Sequence, residues 1–179
     1  MIIGTYRQGN RSGDTIQLTL QQSDLNAVWR RCSDTSNYGA EYLAGNSPDR
    51  DRVYNMLSVI LNELLENAVK HSGRRRNTIG LRLLAQGKQV TVQVDNDVTA
   101  RQYTVFRRLA GEIAGCKDVN AAYLARLATL ERRQTIGIGL LTVLSYYNMT
   151  CGFRFAATKQ PGVYRVSVQA IIPLQGAAS

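Results

Sequence analysis

The chain has 179 residues, 44% of them apolar, and a formal charge of +9, which suits one globular domain with a real core. No apolar run reaches the roughly 18 residues of a membrane span, and no signal-peptide pattern opens the chain. Cys32, Cys116 and Cys151 are odd in number, widely spaced and free of any C-x-x-C pair, which argues against a disulfide framework or a zinc site and points to a reducing cytoplasm.

In chain order, residues 15–20 alternate and predict a first strand. Ser23-Asp24 starts a helix that runs to about Cys32. Residues 34–47 are polar and contain glycine, which predicts a loop. Pro48-Asp49 opens a long helix to His71. Residues 78–84 and 88–94 read as paired strands around Gln86-Gly87, the second ending in Asp95-Asn96-Asp97. Helical spacing returns over 99–115, with Phe106, Leu109 and Ile113, and over 118–133, with Tyr123, Leu127 and Leu130. Gly137 and Gly139 precede an apolar helical run over 140–147. Strands follow at 150–157 and 163–172, with a turn at Pro161-Gly162, and residues 176–179 are expected to fray. No internal repeat is evident.

The basic residues fall in scattered groups: Arg30-Arg31, Arg74-Arg75-Arg76, Arg107-Arg108 and Arg132-Arg133. Nucleic-acid binders concentrate such charge on one face, often with stacking aromatics. The scatter favours a solvated basic surface, or an acidic protein partner steered by charge. Arg132 or Arg133, close to the glycine turn, could also reach phosphates.

Two stretches carry chemistry. In the long helix, Leu57, Leu61, Leu64 and Ala68 form a core stripe, while Glu63 and Asn67, four apart, share another face. A carboxylate and a carboxamide so placed can hold a hydrated Mg²⁺ and orient a water or hydroxyl. Further on, Gly137 and Gly139 let backbone approach a ligand, and the N-terminus of the following helix offers free N–H groups to phosphate.

The run E-x-x-x-N-A-x-K-H, Glu63 to His71, resembles the magnesium-binding helix of the GHKL ATPases: gyrase, the large heat-shock chaperone, histidine kinases and MutL. The likeness is greatest to their relatives, the anti-sigma-factor serine kinases. Thr135-Ile136-Gly137-Ile138-Gly139-Leu140 resembles the second glycine box of the same superfamily. The strand ending at Asp95 stands where the family has a first glycine box, with the departure that Asp97 replaces its first glycine and no second one follows. The three segments keep the family order and span about half of the chain.

The resemblance implies a Bergerat fold: a two-layer α+β sandwich with a mixed, largely antiparallel sheet covered on one face by helices. It implies a single histidine-kinase-like ATPase domain over 1–179, with a helical lid-like insertion at about 99–134. It further implies ATP and Mg²⁺ as cofactors, with Mg²⁺ on Asn67, adenine on Asp95, nucleotide contacts from Asn67, Lys70, Gly137, Gly139 and Leu140, and Glu63 polarising the attacking hydroxyl. The implied activity is that of a serine/threonine kinase acting on a small STAS-type partner. The alternative is a catalytically inactive switch of the same fold, binding a protein partner or another adenine-bearing ligand such as a flavin dinucleotide; the missing glycines favour it. A homodimer is compatible with either reading. His71 is the only histidine, which argues against an autophosphorylating histidine kinase; its expected role is local packing.

Overall fold

The computed structural model describes residues 1–7, 13–27, 29–45, 47–72, 78–128 and 138–174. Six strands form one sheet in the order β1-β5-β6-β4-β3-β2. They are β1 (Ile2–Gly4), β2 (Asp14–Gln21), β3 (Thr78–Gln86), β4 (Gln89–Thr99), β5 (Thr150–Ala157) and β6 (Val163–Pro173). Every pairing is antiparallel, so the expected two-layer α+β sandwich holds.

Strand alternation decides which side chains meet the helices. Val90, Val92, Val94, Asn96 and Val98 of β4 point inward and are buried. They face a layer built around α3 (Arg50–Lys70), whose Leu57, Ile60, Leu61, Leu64 and Leu65 are buried. Helix α2 (Arg30–Ala44) packs along α3. Helices α1 (Gln22–Ala27), α4 (Ala100–Ala114), α5 (Val119–Ala128) and α6 (Ile138–Tyr146) are all shorter than α3. The other sheet face is polar, and residues 5–7 cross it: Gln169 Oε1 accepts from the Arg7 amide at 2.7 Å, and its Nε2 donates to the Arg7 carbonyl at 3.1 Å.

Several expectations need correction. Most of 34–47 is helix α2 rather than loop. Its buried face is Cys32, Ser36, Gly39, Ala40, Leu43 and Ala44, all but Leu43 small residues that carry little periodic signal. They allow close approach, since a Cβ at Gly39 would stand 2.8 Å from Leu83 Cδ1 and 3.2 Å from Leu61 Cδ1. Strand β4 does not end at Asp95 but pairs with β6 through Thr99. Strand β1 had no strand reading in the sequence.

Helix α4 begins at a capping box: Gln102 N–H donates to Thr99 Oγ1 at 3.3 Å, and Thr99 N–H to Gln102 Oε1 at 2.9 Å. Its Phe106, Leu109 and Ala110 are buried, so α4 is part of the helix layer. Helix α5 packs on α6 and buries no residue fully. The expected helix beyond 128, Gly137, Arg132, Arg133 and the frayed end at 176–179 lie outside the described residues.

Candidate functional site

Helix α3 carries two polar stripes. On one, the Glu66 carboxylate accepts from Asn62 Nδ2 at 2.9 Å and from Lys70 Nζ at 2.7 Å. These spacings are i,i+4 pairs closed within one helix. Lys70 also lies 5.6 Å from the Trp29 ring centroid. Its ammonium is therefore directed at Glu66 and Trp29 rather than at Asn67. Burial alone would raise the Glu66 pKa; the hydrogen bonds from Lys70 and Asn62 outweigh it and leave the carboxyl below its ordinary value.

Glu63 and Asn67 form the second stripe. Glu63 is half-buried, and no described residue gives it a hydrogen bond or ion pair. Burial, then repulsion from Glu66, raises its pKa, with partial relief from Lys70. Its carboxylate lies against Gly139: a Cβ built on Gly139 would overlap Glu63 Oε2. Gly139 is in the first turn of α6, where backbone N–H groups have no intrahelical acceptor. The acidic-Asn helix and the start of α6 therefore meet, and the Glu63 carboxylate fills the space that a side chain at position 139 would take.

Asn67 lines a cavity of about 20 Å³ with Ala68, His71, Asn96, Phe106 and Leu140 among its walls. That volume accommodates a water molecule, whereas small-molecule sites run to roughly 300–1,000 Å³. Phe106 enters from α4 and stands edge-on to the His71 ring, with centroids 5.5 Å apart. Burial, then Lys70, lowers the His71 pKa, consistent with its packing role. Leu140 contributes a buried apolar wall.

Asp95 is not brought to this group. Val94 and Asn96 point inward, so Asp95 points to the opposite sheet face, where Gln93 Nε2 donates to its two oxygens at 3.1 and 3.0 Å. The inward residue at that position is Asn96, whose Nδ2 donates to the Ala68 carbonyl at 3.4 Å. Sequence reasoning missed Asn96, although the Val90, Val92, Val94 alternation already pointed to it. It also missed Phe106 as a wall of the site.

The donors present suit the phosphate end of a magnesium nucleotide. Glu63 and Asn67 offer hard oxygen atoms, and α6 offers a helix N-terminus. Among the described residues no three His, Cys, Asp or Glu side chains cluster as a metal site, so Mg²⁺ would rely on phosphate and water for most of its ligands. The base end differs, because a carboxamide and not a carboxylate faces inward from β4. An open groove of about 610 Å³ lies elsewhere, lined by Arg52, Met56, Tyr146 and Leu174; it contains none of these polar groups.

No family model matches the sequence, and no curated protein matches it. Its fold is similar to that of a chain in the crystal structure of the SiaB-SiaC complex from Pseudomonas aeruginosa, with a TM-score of 0.62 and 15% identity over 87% of this chain and 89% of that one. Among the described residues no helix is long and apolar enough to cross a membrane.

Proposed function

We propose that this chain is a regulatory protein that phosphorylates a serine or threonine of a small STAS-type partner, in the manner of the anti-sigma-factor kinases. The observation that carries the reading is the Glu63 carboxylate against Gly139 at the first turn of α6, which joins the two motifs that resemble one site. Mg-ATP would supply the phosphoryl group and the charge that neutralises it. Asn67 would hold the metal through its amide oxygen. The N–H groups opening α6 would orient phosphate oxygens, with Leu140 beside them. Glu63 would take the proton of the partner's hydroxyl, and its raised pKa suits a general base. The similarity to a chain from a two-protein complex supports a protein partner.

Radiolabelled ATP and candidate STAS-type proteins test this reading. Label should pass to the partner, Glu63→Ala should abolish transfer while nucleotide still binds, and Asn67→Ala should weaken Mg-dependent binding. A folded wild type that binds no nucleotide removes the kinase reading. The second reading, a non-catalytic switch, draws support from the cavity of about 20 Å³ beside Asn67 and from the outward Asp95. It expects binding of a protein partner, or of another adenine-bearing ligand such as a flavin dinucleotide, without phosphoryl transfer.

A further inference from the structure

Helices α3 and α6 share one seam, and its two ends differ in chemistry. At one end the Glu63 carboxylate lies against Gly139, in the first turn of α6. At the other, Asn55 and Met56, earlier on α3, and Tyr146 and Tyr147, at the end of α6, stand in the wall of the groove of about 610 Å³, with Pro173 and Leu174 of the β6 end beside them. Glu63 meets the start of α6 and Met56 its end, so the two helices run antiparallel. At 1.5 Å per residue, Asn55 lies about 12 Å from Glu63 along α3, and Tyr146 about 10 Å from Gly139 along α6.

The surface between the two ends is continuous. Asn55, Val59, Glu63 and Asn67 recur every four residues, so one stripe of α3 leads from the groove to the candidate site. Val59, midway, is 44% exposed, and Tyr146 is 73% exposed. An apolar concavity with an exposed aromatic wall marks a surface for a partner. The charged residues lining the groove, Arg52 and Asp49, pair with each other at 3.7 Å. The groove therefore suits an apolar side chain rather than an ionic ligand.

We propose that the groove receives a bulky apolar side chain of the phosphoacceptor partner, about three to four residues from the serine or threonine that Glu63 activates. The proposal rests on the kinase reading above, which needs a polypeptide with its hydroxyl at Glu63. The stripe through Val59 gives such a polypeptide a path to the groove. An extended chain advances about 3.3 Å per residue, so three to four residues cover the distance along α3. The groove then selects the partner, and Glu63 acts on whichever hydroxyl that anchoring brings to it.

Synthetic peptides with one serine and one phenylalanine at increasing separations, in either direction, test this on the full chain. Fluorescence anisotropy reads binding, radiolabelled Mg-ATP reads transfer, and circular dichroism checks folding. Transfer should peak at a separation of about three to four residues. Tyr146→Ser removes an exposed wall of the groove and should weaken peptide binding at least about tenfold. Leu124→Ser, on α5 and outside the groove, alters a side chain that is 62% exposed and should leave binding unchanged. Tyr146-dependent binding with no label at any separation supports the groove and removes the kinase reading. Label that passes at equal rates whatever the separation, in wild type and Tyr146→Ser alike, overturns the groove and leaves the kinase reading standing. Affinity weaker than about 1 mM for every peptide also overturns the groove.

Discussion

Glu63 and Glu66 stand three residues apart on one helix and are held in opposite ways. Glu66 is closed within the helix by Asn62 and Lys70, and its pKa falls. Glu63 has no such partners, lies against the first turn of α6, and its pKa rises. A carboxylate satisfied at i±4 stabilises its helix locally and has little left to offer a substrate. One that is desolvated and lies against the first turn of another helix is poised for proton or phosphate chemistry. Distance along the sequence does not separate them; the 100° step of the helix does.

The largest expected effect comes from closing the gap between α3 and α6. In Gly139→Ala the new methyl group takes the place of the Glu63 carboxylate. The atoms that must yield are the end of a flexible side chain, so the fold should survive with a thermal midpoint within a few degrees of wild type. Displacing a general base removes roughly a hundredfold or more of rate, so phosphoryl transfer should fall by at least that factor. Unchanged transfer in a folded variant would mean that Glu63 acts from elsewhere or not at all.

Glu66→Ala tests the other side of the contrast. It removes two i,i+4 interactions and frees Lys70, which should cost about 1 kcal/mol in urea unfolding. Transfer should be retained. A variant of wild-type stability that loses transfer would exchange the roles of the two carboxylates.

Acid–base behaviour separates them further. The raised pKa of Glu63 means that the unfolded chain releases this proton at lower pH than the folded one. The Glu63 contribution to stability is therefore lost as pH rises from the ordinary carboxylate value of 4.5 through the folded value. Glu66, with a lowered pKa, contributes stability above 4.5 that is lost as pH falls through its folded value. Glu63→Gln should hence gain stability at neutral pH, by less than about 1 kcal/mol, and flatten the stability profile just above pH 4.5. A steeper profile in that variant would contradict the desolvated placement of Glu63.

The layered fold and most of its elements were legible because apolar periodicity in α3, β4, α4 and β6 is carried by large side chains. Helix α2 was hidden, because its contacts are made by Cys32, Ser36, Gly39 and Ala40, which look like loop residues when hydrophobicity is the signal. At the site, the meeting of Glu63 and Gly139 followed from motif order, but the closing of the cavity by Phe106 needed tertiary packing. Asp95 illustrates a different failure. The alternation of Val90, Val92 and Val94 already assigned the next inward position to Asn96, and the motif resemblance overrode it by one residue.

The smallest predicted effect follows from that slip. Asp95 sits on the outer sheet face opposite Gly80 of β3 and Ser167 of β6, half-buried, with both oxygens accepting from Gln93. Asp95→Asn keeps one acceptor oxygen for that bond and removes a charge from a partly solvated position, so stability should change by no more than about 0.5 kcal/mol. The carboxylate also contributes to the raised pKa of Tyr6, behind burial as the main cause; Tyr6 should therefore titrate slightly lower in the variant. Affinity for any ligand beside Asn67 should not move, because the sheet separates the two. Asn96→Ala, on the inner face, should change that affinity while leaving the Tyr6 titration alone. A loss of adenine-nucleotide affinity of tenfold or more, about 1.4 kcal/mol, in Asp95→Asn and not in Asn96→Ala would mean that β4 presents the opposite face to α3.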